Sequence, residues 1–550
     1  MMKTRYILTV LSGVALLSAA TSCNDWLKEE APGTTNLNDF FTSGTTAIQT
    51  VNACYTPLAW EYNTTYFSEW FIGDIASDDA LKGGQNTTDM ADAYDIENFK
   101  TNANNGLLLD FYRAQYQGIA RCNLALQQVP DVDVDDTMTQ ERKDCLLGEA
   151  YFMRAYYYFR LVRVFGGVPY VDFVIDSSND WQQPRATADY VYQKIVEDLL
   201  RAEPLLWNKS EYPDEDLGRA TKGAAQAMLL KVYLYMHDYE NAYKWGKIFM
   251  EQQYDTGEYS LCQNYPDNFT LAGENGPESV FEIQYMEDPT SDYGEGFGFT
   301  RGTFTTILTR SRAASLGSNA GWGFDHPTHN LYNEFETNVI DTDGDGVADG
   351  PDPRRDWTIS QPDQSEIEAN TDLTYLGSYY NNAKTSFYEN GAYYVLAHAT
   401  RSPLNYRLIR LSDVMLMYAE AAVYQGDTGT ATTMLNNVRR RVGMPAYDSN
   451  SVSEDWNIPS DGGNVSDGKL LRAICHERRV ELAMEGHRWF DLCRWGIAYD
   501  VMDKDNGSYG SQESAEARAE MASFIEGKNE LFPIPAEEIN LNPMEQNPGY

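Results

Sequence analysis

Positive charge is scarce in this chain: 42 Lys and Arg stand against 82 Asp and Glu, a formal net charge of -40. Such acidity repels phosphate backbones and anionic lipid, so it argues against nucleic acid as a partner. It otherwise serves solubility and names no ligand. Histidine is rarer still, with 6 in 550 residues. His476-Glu477 begins like a zinc-protease helix, but Val480 stands where the second His is required. The 7 cysteines are scattered, with no close pair of metal-ligand spacing. Cys54, Cys122, Cys145, Cys262, Cys475 and Cys493 fall in apolar or helical contexts. Buried thiols are the first reading for them and disulfides the second. Nucleophile elbow, P-loop and dinucleotide fingerprint are missing as well. With 82 acidic residues, two carboxylates at glycosidase separation are bound to occur by chance, so such a pair carries no weight. The chain does not read as an enzyme.

Long apolar runs are also lacking, apart from residues 7–17. Lys3 and Arg5 precede that run, and Ser18, Ala19, Ala20, Thr21 and Ser22 follow it, leading directly to Cys23. The run is too short for a permanent membrane span, and its order is that of a secretory signal. Residues 1–22 are therefore read as a signal peptide and Cys23 as the lipidated first mature residue. An ordinary signal with an incidental Cys is the plainer alternative. Residues 23–45, with Asn24, Asp25, Lys28, Glu29, Glu30, Pro32 and Gly33, read as a solvated tether. Membrane contact is then expected only through the lipid anchor.

Hydrophobic residues make up 42% of the chain, enough for a sizeable core, and residues 46–550 are read as a single domain. Helical signatures dominate 46–254 and 405–550. In GEAYFMRAYYYFRLVRVF, residues 148–165, Ala150, Met153, Tyr157, Leu161 and Val164 form one stripe, and Gly166-Gly167 stops the helix. Residues 187–200 read as a helix, and 221–251 as a helical hairpin turning at His237-Asp238. That hairpin aligns with DVMLMYAEAAVYQGDTGTATTM on its turn: Asp238 matches Asp427, and Ala242 matches Ala431. The pattern resembles tetratricopeptide helix pairs. Between 255 and 404 the periodicity gives way to Gly, Asn, Asp, Ser, Thr and aromatic residues, with a short strand expected near 279–285. Irregular segments on a regular scaffold are where binding surfaces concentrate.

Several segments together resemble the SusD (SusD/RagB) family of outer-membrane glycan-binding lipoproteins. GEAYFMRAYYYFRLVRVFGGVPYV at 148–171 and ICHERRVELAMEGHRWFDLCRWG at 474–496 are the most specific. ESVFEIQY at 278–285, GWGFDHPTHNLYNEFE at 321–336, DPRRDWTI at 352–359, RLIRLSDVMLMYAEA at 407–421 and LFPIPAEEINLNPMEQNPGY at 531–550 follow in family order. The resemblance implies a mainly α fold in which tetratricopeptide-like helix pairs support an irregular ligand face. It also implies a surface-exposed place on the outer membrane, an oligo- or polysaccharide ligand, and a SusC-like TonB-dependent transporter as partner. A protein-only assembly adaptor and a glycoside hydrolase are the competing readings. In the segment around 477–494, Glu477, Arg478, Glu481, Arg488, Asp491 and Arg494 mix with Leu482, Trp489, Phe490 and Leu492. Ion pairs within helix packing explain that mixture better than catalysis does.

Sugar rings have apolar faces and hydroxyl rims, so a site needs flat aromatics with amides and carboxylates beside them. The chain has 11 Trp and 38 Tyr, most of which must be core; Tyr156, Phe159 and Tyr233 are assigned to packing. Loop aromatics are the candidates: Tyr94 and Phe99, then Tyr293, Phe297 and Phe299, then Trp322 and Phe324. The resemblance places ligand contacts in these neighbourhoods without marking single residues. Trp322 is the leading platform, although GWGF could equally be structural. Asn86, Asp292 and Asn319 are the hydroxyl partners.

DTDGDGVADGPD, residues 341–352, sets Asp341, Asp343, Asp345, Asp349 and Asp352 at positions one, three, five, nine and twelve of a calcium loop. Gly346 stands at the turn and Val347 offers its carbonyl from position seven. A structural Ca2+ is expected there; a solvated acidic turn is the alternative, since Pro351 and Pro353 argue against a full EF-hand exit helix and position twelve is Asp instead of the bidentate Glu.

Overall fold

The computed structural model describes residues 40–61, 70–176, 180–287, 301–313, 320–341, 347–360, 380–389, 392–398, 402–509 and 519–550. The principal helices are α1 (Gly44–Tyr55), α2 (Gly106–Gln128), α3 (Gln140–Phe165), α4 (Ala188–Ala202), α5 (Lys222–Tyr235), α6 (Tyr239–Phe249), α7 (Leu411–Tyr424), α8 (Thr428–Arg441), α9 (Gly468–Leu482) and α10 (Arg488–Arg494). Most start on a short polar side chain that accepts a backbone N–H of the first turn. Ser43, Asn105, Thr139, Thr187, Thr221 and Asp467 do this for α1 to α5 and α9. α3 is two turns longer at its start than its apolar stripe indicates, and it ends at Gly166 in the left-handed region (φ 69°).

Helices α1 to α7 pack in chain order, each against the next, and α7 also contacts α8 and α9. The two aligned hairpins form as the turn residues dictate. Asp238 (φ −89°, ψ 74°) accepts the Asn241 N–H at 3.1 Å, and Asp427 (φ −87°, ψ 71°) accepts the Thr430 N–H at 3.0 Å. Ala242 and Ala431 are fully buried where the helices of each pair approach. The hairpins also pack on one another. A Cβ at Gly246 of α6 would lie 2.3 Å from the Tyr418 ring of α7, and the Tyr239 and Tyr424 rings stack at 3.6 Å.

Between 255 and 404 the described elements are short. Strand β1 (Ala80–Gly83) pairs antiparallel with β3 (Phe324–Pro327), and β2 (Ser279–Ile283) with β4 (Tyr406–Arg410). The second pair joins the start of the irregular segment to the strand that feeds α7. The six cysteines after residue 23 are free thiols, five of them buried.

Charge is buried in the joint between this segment and α9. Arg354 is fully buried and reaches Asp352 (2.6 Å), Glu477 (2.6 Å) and Glu481 (3.0 Å). Arg410 reaches Glu278, Glu481 and Glu485, and Arg441 reaches Glu278 and Glu481. Arg478 pairs with Asp413 and Asp491, and Arg494 with Glu420 and Asp491. Each carboxylate has a guanidinium partner, so the charged residues of the 474–496 motif hold helices and loops together.

Candidate functional site

The β1–β3 ladder brings two distant loops to one edge. Leu81 lies opposite His326 and Gly83 opposite Phe324. Past the ladder the Gly84 N–H donates to the Gly323 carbonyl at 2.5 Å, and an Arg312 guanidinium N–H donates to the Gly84 carbonyl at 3.0 Å. Gly83, Gly84 and Gly323 all have positive φ (72°, 75° and 64°), and a Cβ on Gly83 would meet the Gly323 carbonyl at 2.2 Å. Only glycine allows this approach. The polar loop 85–88 and the segment 321–323 therefore share a rim.

Trp322 stands on that rim and is 43% exposed. Its backbone N–H donates to the Ile307 carbonyl (2.9 Å), and its ring rests edge-on against buried Phe304, centroids 5.0 Å apart. The ring is held in place yet open to solvent, as a stacking platform must be. Asn86 is exposed nearby in sequence to the ladder. Its Oδ1 accepts the N–H groups of Thr88 (2.9 Å) and Asp89 (3.1 Å), which shapes the loop. Lys82 braces the loop from beneath, donating to the carbonyls of Asn86 (2.9 Å) and Asp89 (2.6 Å). Burial lowers the Lys82 ammonium to about 8 and raises its neighbour Glu97 to about 7. His326, behind the rim, is lowered to about 4 by burial and then by the charges of Arg312 and Lys82.

Three of the predicted aromatics are corrected. Phe324 has no exposed surface: its ring packs under Gly84, with the Lys82 ammonium 5.5 Å from its centroid. Phe99 takes a left-handed turn (φ 53°) that swings its ring into the core, against Phe524 (5.0 Å) and Trp489 (5.8 Å). Tyr94 is 7% exposed; its hydroxyl donates to Glu520, and Lys82 and Lys100 approach its ring. Burial of these large rings outweighs any availability for stacking. Tyr293, Phe297, Phe299, Asp292 and Asn319 lie outside the described residues. The sequence reading did not pick out Phe304, Lys82 or Arg312. The paired glycines at 83–84 and 321–323 were the signal for a close backbone approach.

The acidic loop is likewise corrected at one position. Ile340 and Gly350 form a backbone bridge (Gly350 N–H to Ile340 carbonyl, 2.8 Å) that closes the neck of the loop, with Asp341 and Asp349 adjoining it. Asp352 lies beyond the neck, fully buried in its pairing with Arg354, so it is not a twelfth calcium ligand. Its pairing with the guanidinium neutralises it already. Asp343 and Asp345 lie outside the described residues. Among the described residues no cluster of three or more His, Cys, Asp or Glu is disposed to hold a metal ion.

The model of the SusD family matches residues 277–550, and that of a family described as "Starch-binding associating with outer membrane" matches residues 25–234. The chain belongs to the SusD family. It is 25% identical to SusD-like protein P2 of Formosa agariphila over 98% of both chains. It is also 25% identical to a SusD-like protein of Bacteroides ovatus over 89% of this chain and 82% of that one. Among solved structures, a laminarin-binding SusD-like protein is 28% identical and superposes with a TM-score of 0.71, covering 92% of this chain and 100% of that one. Surface glycan-binding protein A from Bacteroides thetaiotaomicron, in complex with laminarihexaose, has a TM-score of 0.72 at 24% identity over 92% and 100%. The SusD fold thus accounts for nearly the whole described chain. No helix among the described residues is long and apolar enough to cross a membrane.

Proposed function

We propose that the chain is a cell-surface glycan-binding lipoprotein that captures an oligo- or polysaccharide and delivers it to a SusC-like TonB-dependent outer-membrane transporter without cleaving it. The observation that carries the reading is Trp322: an aromatic ring resting on Phe304 and exposed at the rim where the polar loop 85–88 and the segment 321–323 meet, in a SusD-family chain. A relative of the same fold at 28% identity binds laminarin, which supports a carbohydrate ligand and makes laminarin the first polysaccharide to test. Cys23 supplies the anchor, and the loop at 341–349 holds a structural calcium ion through the aspartates on either side of its glycines.

The test is calorimetric titration of the leaderless chain with a polysaccharide panel, with product analysis on the same samples. Two or three platforms at about 1–2 kcal/mol each predict affinities in the micromolar to millimolar range, rising with oligosaccharide length and insensitive to salt. Trp322→Ala should weaken binding about tenfold, which is about 1.4 kcal/mol. Failure of every glycan to bind would leave the adaptor reading, and release of reducing sugar would overturn the non-enzyme assignment.

A further inference from the structure

A cleft of about 520 Å³ lies away from the Trp322 rim and shares no residue with it. Its floor is Tyr112 and Tyr116 of α2, whose rings lie 4.9 Å apart. One wall is the segment that follows α3, with Trp181; the other is the C-terminal segment, with Leu541 and Asn542. Trp181 is 68% exposed, the highest value for any described Trp, and with Leu541 (66%) and Ile175 (42%) in the same cleft it makes a contiguous exposed apolar patch, the kind that marks an interaction site.

The walls are tied to each other and to the scaffold. Asn542 Nδ2 donates to the Gln183 carbonyl (2.7 Å), and Arg185 donates to the carbonyls of Gly167 (2.7 Å) and Glu545 (2.7 Å). The Tyr116 hydroxyl donates to the Pro169 carbonyl (2.6 Å), which fixes the floor. A cleft built this way is formed before any ligand arrives, so little ordering cost attends binding. Its one guanidinium, Arg113, is already engaged by Glu538 (2.7 Å) and Glu537 (3.0 Å), so the cleft offers no unspent positive charge to an anion. What it offers is an exposed indole, aromatic flooring and amides at the edge, in a volume suited to a few pyranose rings.

We infer that this cleft is a second carbohydrate subsite, which takes a neutral oligosaccharide stacked on Trp181, with the amides of Gln117 and Asn542 at its hydroxyls. The inference rests on the glycan-binding reading above. Two separated subsites would let one protein hold a polysaccharide at two points and gain avidity without either point binding tightly.

The experiment titrates the mature chain, its Trp181→Ala and Trp181→Phe variants, and Trp322→Ala with hexasaccharides of β-1,3-glucan, α-1,4-glucan and β-1,4-mannan, following heat and indole fluorescence. Melting curves accompany each variant; Trp181 is exposed, so both substitutions should leave the fold intact. The expected result is two binding events on at least one hexasaccharide. Trp181→Ala removes one or weakens it at least tenfold, Trp181→Phe retains part of it, and Trp322→Ala spares it. If Trp181→Ala gives the wild-type isotherm while Trp322→Ala does not, the second subsite is refuted and the first stands. If the wild-type chain binds none of the three, this inference falls together with the glycan-binding reading. A Trp181 signal that moves on adding the transporter but with no sugar also overturns it, in favour of a protein-docking face.

Discussion

Trp322, Phe324 and Phe99 have similar chemistry and neighbouring places in the sequence argument, yet they end in different surroundings. At Trp322 the backbone is anchored to the helix Thr305–Thr309, and the ring meets Phe304 edge-on while the residue stays 43% exposed. Truncating it should remove ligand contact while changing the melting temperature little. Phe99 sits between Phe524 and Trp489 and is 7% exposed. Phe99→Ala should therefore cost about 3–5 kcal/mol of stability through the cavity it leaves, with the affinity of the surviving folded protein unchanged. Denaturant unfolding of both variants, beside a glycan titration, distinguishes the two roles. A Trp322→Ala protein as destabilised as Phe99→Ala would show that its ring is structural after all.

At the scale of elements, α9 is the strut. Its acidic and basic side chains meet partners from the 255–404 segment, from β4 and from α8. Breaking one member leaves an uncompensated buried charge. Glu481→Ala, which removes a carboxylate shared by Arg354, Arg410 and Arg441 and leaves their buried network one positive charge in excess, is expected to cost about 3–5 kcal/mol by thermal or denaturant unfolding. Acid should attack the same joint. Burial alone would raise Glu336, but the nearby His476 imidazole (3.7 Å) and the Arg439 guanidinium, which donates to it at 2.7 Å, outweigh burial and hold the carboxyl at about 2, below its ordinary 4.5. A folded-state value below the unfolded one means stability that is full above about 4.5 and lost as pH falls toward about 2. Melting temperatures across that window should fall, and Glu336→Gln should flatten part of the fall. For the acidic loop, the double change Asp343→Ala with Asp345→Ala should abolish calcium uptake and lower the melting temperature in calcium buffer. A chelator that leaves the wild-type melting temperature unchanged, with no calcium found by elemental analysis, would reduce the loop to an acidic turn.

On the scale of the whole molecule, the anchor and the body make separate predictions. Intact-mass analysis of membrane-extracted protein should show a di- or triacyl increment on a chain beginning at Cys23, and Cys23→Ser should release the protein from membranes. A mature form that begins elsewhere or lacks lipid sinks that assignment. The helical character of the body was legible because its signals are local, although α3 starts two turns earlier than its apolar stripe indicates. Apolar periodicity, short polar caps and turn residues such as Asp238 and Asp427 act within one or two turns of chain. The ionic character of the 477–494 segment was also readable, since so many charges among so many large apolar residues can be buried only in pairs. Binding aromatics could not be told from core aromatics in this way. Whether a loop ring faces water depends on what folds over it: Glu520 and two lysines close on Tyr94, the glycine turn closes on Phe324, and Trp322 stays 43% exposed. Asp352 shows the same limit, because its partner Arg354 is close in sequence but the carboxylates that make that guanidinium a hub come from a helix more than a hundred residues later. Helix identity and capping were determined by neighbours along the chain; the rim at Trp322, the cleft at Trp181 and the fate of each carboxylate were decided by contacts between segments far apart in it, which only the tertiary fold brings together.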